Sequence, residues 1–352
     1  MPAMTDLCSI HCFTLLFLLL ASLASASAPP YLSPAIFAPS YQKMLDNFRI
    51  FVYSSDKTVN LKSPVESLFH ASLMNSPFVT RDPDGADLFF VPLDSDLSTR
   101  STSHVVRDLR TELPYWNRTL GADHFYISCS GIGYESDRNL VELKKNSVQI
   151  SCFPAPEDKF IPHKDITLPP FITYGLVEPQ APVNNSAKYL GFAKHGALKI
   201  PEMVVELIKD PDFLIEQEPS NRVTYEERFR SSKFCLFDYE GDVSGIGEAM
   251  RVGCVPVVIT VRPIQDLPLI DVLQWQEMAV FLGRDKGGVK ELKRVLGSVS
   301  EDRYEKMRGS GISVGRHFMW NDPPQLMDSF HMVMYQLWLR RHTIRYARRD
   351  WV

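Results

Sequence analysis

The chain has 352 residues, of which 45% are hydrophobic and 23% are charged, so it is long enough for about two domains with sizeable cores. Its formal net charge of -4 argues against a nucleic-acid-binding surface as the main function. The 25 prolines are spread along the chain, and we find neither a low-complexity tract nor an internal repeat.

The N-terminus carries an apolar run of the length of a targeting signal. Residues 12–28 read CFTLLFLLLASLASASA, and Ala24-Ser25-Ala26 near the end of this run fits a cleavage site. A membrane-spanning anchor needs roughly 20 apolar residues, and the run from Ile10 reaches this length only by including its Ala/Ser end. We therefore predict that residues 1–28 are either a signal peptide or an uncleaved signal anchor, and that they direct the chain into the secretory pathway.

Two glycosylation patterns agree with this compartment. Asn117-Arg118-Thr119 and Asn184-Asn185-Ser186 both match the acceptor triplet for N-linked glycans. We predict glycans on Asn117 and Asn184.

The cysteines are a second indication of an oxidising compartment. Outside the targeting segment there are four of them, namely Cys129, Cys152, Cys235 and Cys254. Of the three possible connectivities we prefer the local one, which pairs Cys129 with Cys152 and Cys235 with Cys254. Four buried thiols are the alternative. No Cys/His spacing resembles a zinc site.

Strand and helix patterns alternate along the first half of the chain. Short apolar segments rich in β-branched and aromatic residues predict strands at 48–53, 88–93, 124–128, 147–151 and 165–170. Apolar residues at helical spacing predict helices at 64–76 and 103–113. This alternation predicts an open, mostly parallel sheet with helices on both faces.

The second half repeats this pattern. Strands are predicted at 189–193, 233–237 and 255–259, and the apolar segments 271–275 and 278–282 follow them. Helices are predicted at 200–209, directly before residue 253, at 288–299 and at 324–349, the last of them long and amphipathic. Two successive α/β units in a chain of this size predict two facing Rossmann-like domains.

The first candidate ligand site is the loop DYEGDVSGIG, residues 238–247, which leaves a predicted strand and enters a helix. Ligands of open α/β sheets bind beyond the carboxyl ends of the strands, and N–H groups at a helix start suit a diphosphate. Glu248, one turn into the helix, would accept hydrogen bonds from ribose hydroxyls. The alternative is that the glycines only permit a tight turn. Met250 stands where the dinucleotide fingerprint has its last glycine, which argues against an NAD enzyme.

Two other clusters of ionisable residues are weaker candidates. Asp94 and Asp96 follow a predicted strand and would suit a divalent metal, with a solvated loop as the alternative. His163, Lys164 and Asp165 precede a strand. His163 or Asp165 would serve as a base and Lys164 would bind phosphate or an acidic sugar, with a loop of satisfied charges as the alternative. Ser244 in the segment DVSGIG lacks the glycine spacing of a G-x-S-x-G motif, which argues against a serine hydrolase at this loop.

Six segments, taken in order, carry a family resemblance. They read PYWNRTLGADHF, FIPHKDITLPP, SSKFCLF, GCVPVVI, DVLQW and HFMWNDPPQLMDSFHMVMYQLWLRR. Together they resemble the plant exostosin-like glycosyltransferases of family 47 over roughly residues 45–345. The resemblance implies an α/β fold of GT-B type, in which two facing Rossmann-like domains enclose the active cleft. We assign residues 29–190 to the N-terminal acceptor domain, 191–323 to the C-terminal donor domain and 324–352 to a helix that crosses back.

The resemblance also implies an activity. Such an enzyme is expected in the Golgi in type II orientation, and it transfers a sugar with inversion from a UDP-sugar to a cell-wall polysaccharide or glycan. Neither a metal nor another cofactor is expected. A Golgi glycosyltransferase complex is a possible partner.

The expected site residues follow from the same resemblance. Glu248 matches the family glutamate on the donor ribose, and the loop Gly241–Gly247, which includes Ser244 and Gly245, is expected on the diphosphate. Lys233 and Arg230 are weaker phosphate candidates, because they precede a strand. Asp165 or His163 is the predicted base.

The chain departs from the family pattern at positions that matter for the donor. Gly245 stands where relatives have an arginine, and Lys194 replaces the glycine of a strand. Cys129 is followed by Ser130-Gly131 rather than His-Asp. Lys194, Arg251 and Arg262 are basic residues that would compensate for the arginine. The alternative function is that of a catalytically weakened lumenal partner subunit of a polysaccharide synthase complex.

Overall fold

The computed structural model describes residues 30–53, 59–95, 97–133, 137–171, 187–261, 263–284 and 287–349. The predictions for residues 1–28, Asp96, Asn184 and Arg262 fall outside these ranges. No helix in the described ranges has the length and apolar character needed to cross a membrane.

The first α/β unit contains a six-stranded sheet. Its strands are β1 (Ile50–Val52), β2 (Val79–Thr80), β3 (Leu88–Phe90), β4 (His124–Ile127), β5 (Val148–Cys152) and β6 (Ile166–Leu168). Its helices are α1 (Pro34–Asn47), α2 (Pro64–Met74), α3 (Thr99–Glu112), α4 (Pro114–Thr119) and α5 (Arg138–Asn146). The strand order is β2-β1-β3-β4-β5-β6, and all neighbouring strands are parallel.

The second unit contains a five-stranded sheet. Its strands are β7 (Tyr189–Ala193), β8 (Phe213–Ile215), β9 (Ser232–Asp238), β10 (Val255–Thr260) and β11 (Val280–Gly283). Its helices are α6 (Pro201–Lys209), α7 (Arg222–Arg230), α8 (Ile246–Val252), α9 (Gly288–Gly297) and α10 (Glu301–Val314), and the chain continues into α11 (Ser329–Arg349). The order is β11-β10-β9-β7-β8, again with parallel neighbours.

Local sequence explains where these elements begin and end. Helix α2 starts with a capping box, in which Glu66 accepts the N–H of Ser63, and with Pro64 at its first position. Helix α8 ends at Gly253, whose φ of 87° lies in the left-handed region. Strand β3 and residues Val255–Ile259 of β10 are apolar and buried, because helices cover both faces of the parallel sheets.

The domain boundaries differ from the predicted ones at three points. Strand β7 starts at Tyr189 and belongs to the second sheet, so the division lies before this residue. The segment at Pro30 contacts the second unit, because Leu32 N–H donates to Val272 O over 2.9 Å. Helix α11 begins at Ser329 instead of residue 324, since the Asp328 carboxylate accepts the N–H of His331 in the first turn.

The two units pack together through a shared apolar core. Helix α11 returns to the first unit as predicted, and Trp338 lies edge-on against Phe48 with 5.7 Å between ring centroids. Asp266, from the loop after β10, adds a polar link. Its carboxylate accepts the N–H of Ala155 over 2.7 Å, and its carbonyl accepts the hydroxyl of Thr167 over 2.8 Å. The two sheets are therefore held with their carboxyl ends near each other.

His317 connects the N-terminal segment to the turn before α11. Its Nδ1–H donates to the carbonyl of Met327 over 2.6 Å, and its Nε2 accepts the hydroxyl of Tyr31 over 2.8 Å. Complete burial lowers the pKa of His317 from 6.5 to about 4. The imidazole therefore stays neutral in the fold at a pH at which the unfolded chain binds a proton.

We expect this histidine to make the protein sensitive to acid. The pKa of His317 is higher in the unfolded chain than in the fold. The stability of the fold is therefore at its full value above pH 6.5, and it decreases as the pH falls from 6.5 towards 4. At about 1.4 kcal/mol per pKa unit, roughly 3 kcal/mol of unfolding free energy is lost across this range. Denaturant unfolding at pH 7, 5.5 and 4.5 measures the loss. His317→Gln should show a shallower pH dependence, and an unchanged slope would contradict this assignment.

Candidate functional site

The second sheet has a topological switch point between β7 and β9. Strand β8 lies on one side of β7, whereas β10 and β11 follow β9 on the other side. In open α/β sheets, ligands bind in the crevice outside the carboxyl ends of the strands at such a point. The loop 194–199 after β7 and the loop 239–245 after β9 meet there.

These two loops are held together by backbone hydrogen bonds. Asp238 N–H donates to Ala197 O over 2.9 Å, and Asp242 N–H donates to Gly196 O over 2.8 Å. A Cβ atom on Gly241 would clash with the carbonyl oxygen of Ala197. The close approach of the two loops therefore requires a glycine at residue 241. This agrees with the alternative interpretation given above, in which the glycines of this loop have a structural role.

Lys194 places a positive charge inside this pair of loops. Its Nζ donates to Ser244 Oγ over 2.9 Å and lies 2.7 Å from Asp242 Oδ2, and its side chain is 13% exposed. Burial alone would raise the pKa of the Asp242 carboxyl. The hydrogen bonds from Lys194 and Ser244, together with the charge of Lys194, outweigh burial and lower this pKa. The loop after β9 therefore holds a charged pair at the switch point.

The other two glycines of the loop are explained by packing. Gly245 has φ of -81°, which any residue adopts, but a Cβ atom there would lie 3.3 Å from Phe229 Cζ and 3.7 Å from Lys194 Nζ. A Cβ atom on Gly247 would lie 2.5 Å from Phe318 Cβ. Both glycines are buried in the domain, and their contact with a donor stays a prediction.

Glu248 lies in the first turn of α8 and is half-buried. This helix follows directly on the loop of Ser244, so Glu248 belongs to the same edge of the sheet as Lys194. Its position is consistent with the predicted contact to the ribose, and the contact itself stays a prediction.

Glu66 organises the corresponding edge of the first sheet. It is 2% exposed and accepts the N–H of Cys129 over 2.6 Å, the N–H of Ser63 over 3.2 Å and the hydroxyl of Ser95 over 3.0 Å. It thereby joins the start of α2 to the loops that follow β3 and β4. Sequence reasoning missed this residue, although the capping box Ser63-x-x-Glu66 marks its local role.

Both predicted disulfides are confirmed. Cys129 is bonded to Cys152 and links the carboxyl ends of β4 and β5, and Cys235 is bonded to Cys254 within the second unit. Ser63 Oγ lies 3.6 Å from Cys152 Sγ, so the first disulfide adjoins the start of α2. This disulfide therefore forms part of the edge that faces the second domain.

A cleft of about 240 Å³ separates the carboxyl ends of the two sheets. Both domains contribute to its lining, which consists of Ser63, Pro64, Val65, Cys152, Phe153, residues 168–171 and Ser244. Ser244 belongs to the donor loop, whereas the other residues follow strands or begin a helix of the first unit. One cleft therefore joins the carboxyl edges of both sheets.

The cluster at residues 163–165 lies at the opposite edge of the first sheet. Ile150 of β5 pairs with Ile166 of β6, so Asp165 stands at the amino end of the strands. Asp165 is 1% exposed, accepts the N–H groups of Gln149 and Ile161, and is bonded to Lys164. The prediction of Asp165 or His163 as the base of the cleft is therefore wrong.

The weaker phosphate candidates are also at an amino edge. Lys233 is the second residue of β9 and pairs with Glu301 over 2.7 Å. Arg230 ends α7 directly before this strand and pairs with Glu226 over 2.7 Å. A phosphate at the carboxyl edge is out of reach of both, so these two predictions are corrected.

Two further sequence motifs have definite places in the structure. Asn117 is exposed on α4, so a glycan could reach it. Its glycosylation stays a prediction. Asp94 accepts the backbone N–H of Asn60, which gives this carboxylate a role in the loop after β3. Among the described residues, no group of three or more His, Cys, Asp or Glu side chains is arranged to hold a metal.

The architecture defines a class of protein. Two Rossmann-like domains face each other across a cleft at their carboxyl edges, and the last helix returns to the first domain, which is the GT-B arrangement of glycosyltransferases. The exostosin GT47 domain model matches residues 44–299. The chain belongs to this family and is a glycosyltransferase.

The chain is similar to several plant proteins and to solved structures. A probable glycosyltransferase of Arabidopsis thaliana is 30% identical and covers 90% of this chain and 72% of its own length. A probable β-1,4-xylosyltransferase of the same plant is 26% identical and covers 76% and 73%. A probable glucuronosyltransferase of Oryza sativa subsp. japonica is also 26% identical, with the same coverage. Among solved structures, the glycosyltransferase of kitacinnamycin matches at 12% identity with a TM-score of 0.38, covering 84% of this chain and 99% of that one.

Proposed function

We propose that this protein transfers a sugar with inversion from a UDP-sugar to a cell-wall polysaccharide or glycan. The observation that carries the proposal is the cleft, because it joins the switch point of the second sheet to the carboxyl edge of the first. Relatives named as xylosyltransferases and glucuronosyltransferases support a sugar nucleotide as donor.

The donor is assigned to the second domain. The loop Gly241–Gly247 receives the diphosphate, and Glu248 accepts hydrogen bonds from the ribose hydroxyls. Placing the donor here puts the transferred sugar beside Ser244, which lines the cleft. The acceptor is assigned to the facing edge of the first domain.

The proposed reaction is a single displacement. The acceptor hydroxyl attacks the anomeric carbon, its proton passes to a base, and the bond to the diphosphate breaks so that UDP leaves. The enzyme accelerates this step by holding the two substrates in line and by stabilising the charge that develops on the diphosphate. Because His163 and Asp165 lie at the amino edge, the base belongs to the loops at the carboxyl edge of the first sheet.

The proposed location is the Golgi, with the catalytic domains in the lumen and residues 1–28 as anchor or cleaved signal. The two disulfides support an oxidising compartment. The proposed reaction uses no metal, because cationic side chains of the protein neutralise the leaving diphosphate.

A donor screen tests this function. The purified protein is incubated with UDP-xylose, UDP-galactose, UDP-arabinose or UDP-glucuronate, with and without cell-wall oligosaccharides, and UDP release is measured. We expect one donor to give release that increases with a matching oligosaccharide. Lack of UDP affinity together with lack of release from every donor would contradict the proposal.

The second candidate is a UDP-binding partner subunit without turnover. It is favoured by one observation, namely that Gly245 carries no side chain at the position where the family resemblance predicts an arginine. Retained UDP binding without release from any donor would support it over the enzyme.

A further inference from the structure

Lys194 is the first residue after β7, at the switch point of the second sheet. Its ammonium lies between the two loops that meet there, 2.9 Å from Ser244 Oγ. Ser244 also lines the cleft between the domains. The ammonium is thus one hydrogen bond away from the surface that a donor would contact.

Gly245 lies beside this lysine and presents no side chain to it. The backbone of Gly245 is compatible with any residue, since its φ is -81°. However, a Cβ atom there would lie 3.7 Å from both Cε and Nζ of Lys194, with Phe229 on the other side at 3.3 Å. A Cβ atom at residue 245 would therefore press on Phe229 and touch Lys194, so the backbone of Gly245 lies directly beside this lysine.

Two neighbouring arginines form ion pairs with other residues. Arg284 pairs with Glu240 over 2.9 Å and with Asp238 over 3.5 Å, and Arg251 lies 3.9 Å from Glu226. Lys194 itself contacts Asp242, which belongs to the same loop as Ser244.

We propose that Lys194 binds the diphosphate of the nucleotide-sugar donor, which rests on the proposed function. Asp242 and Ser244 hold the ammonium in position beside the cleft. A lysine ammonium has three N–H donors, so it binds a phosphate oxygen while it keeps its bond to Ser244. The positive charge that balances the leaving group thus comes from the loop after β7 and not from residue 245.

Lys194→Met tests this role, because methionine keeps an unbranched apolar stem and removes the charge. Calorimetric titrations of the full-length protein with UDP and with uridine separate the diphosphate from the nucleoside. We expect the affinity for UDP to fall by at least about ten-fold, while the affinity for uridine stays unchanged. Lys194→Arg should retain most of the UDP affinity.

Lys290→Met is the matched control, since Lys290 is exposed on α9, outside the two loops of the switch point. It should leave both affinities unchanged. The inference is overturned if Lys194→Met leaves UDP binding unchanged, or if it weakens UDP and uridine equally, which would indicate a structural role. Wild-type protein that binds neither compound would instead overturn the proposed function, and the inference with it.

Discussion

Replacing Glu248 with alanine is expected to weaken UDP binding by about 10- to 100-fold, the loss expected for one hydrogen bond to a charged acceptor, which contributes about 1.5–3 kcal/mol. Glu248 stands in the first turn of α8, directly after the loop that meets Lys194 at the switch point. In the proposed complex its carboxylate accepts the ribose hydroxyls, and alanine leaves them without this partner. Calorimetric titration of the full-length variant with UDP measures the loss.

The controls for this prediction separate binding from folding. Glu112→Ala removes an exposed carboxylate at the end of α3, far from the cleft, and should leave UDP affinity unchanged. Glu248→Gln keeps the shape but removes the charge, and should show an intermediate loss. A folded Glu248→Ala protein with wild-type affinity for UDP would remove Glu248 from the donor site.

The second large effect concerns Asp165, whose replacement with asparagine is expected to destabilise the fold by roughly 3–5 kcal/mol. The carboxylate accepts two backbone N–H groups and lies beside the ammonium groups of Lys164 and Lys144, the latter at 3.7 Å. An amide leaves these buried cations without their counter-charge. Denaturant unfolding at pH 7 measures the change.

This variant also distinguishes a structural role from a catalytic one. Because Asp165 lies at the amino edge of the sheet, UDP release per folded molecule should be retained by Asp165→Asn at temperatures below its unfolding transition. Asp302→Asn, at an exposed position on α10, is the control and should change stability little. Normal stability combined with lost turnover would restore Asp165 as a candidate base.

The destabilisation by Asp165→Asn is expected to decrease as the pH rises. Burial lowers the pKa of Lys144 to about 8, although the charge of Asp165 counteracts the effect. Because the folded value lies below the unfolded 10.5, the cost of burying this cation is complete below pH 8 and decreases as the pH rises from 8 to 10.5. The destabilisation by Asp165→Asn should therefore be smaller at pH 9 than at pH 7.

Much of the fold was readable from local patterns. The segments 189–193 and 255–259 are apolar over the length of a strand, and both form strands at these positions. The disulfide partners are those of the local pairing that proximity in sequence favoured. Local patterns do not predict the hydrogen bond between Leu32 and Val272, because this contact joins residues from different domains.

The site was less predictable, for reasons that differ between residues. The amino-edge position of Asp165 was implied by its place before β6, the same rule that made Lys233 a weak candidate. The contact of Lys194 with Ser244 joins residues fifty positions apart, and no sequence spacing encodes it. The bond from Glu66 to Cys129 is likewise long-range, so only its capping role was visible.

A crystal structure of the protein with UDP tests the central claim most directly, namely that the donor site is the switch point of the second sheet. We predict that the ribose lies on Glu248 and that the diphosphate lies within hydrogen-bond distance of Lys194 and the loop of Ser244. UDP bound at another surface, with the carboxyl edge of β7 and β9 empty, would contradict this account.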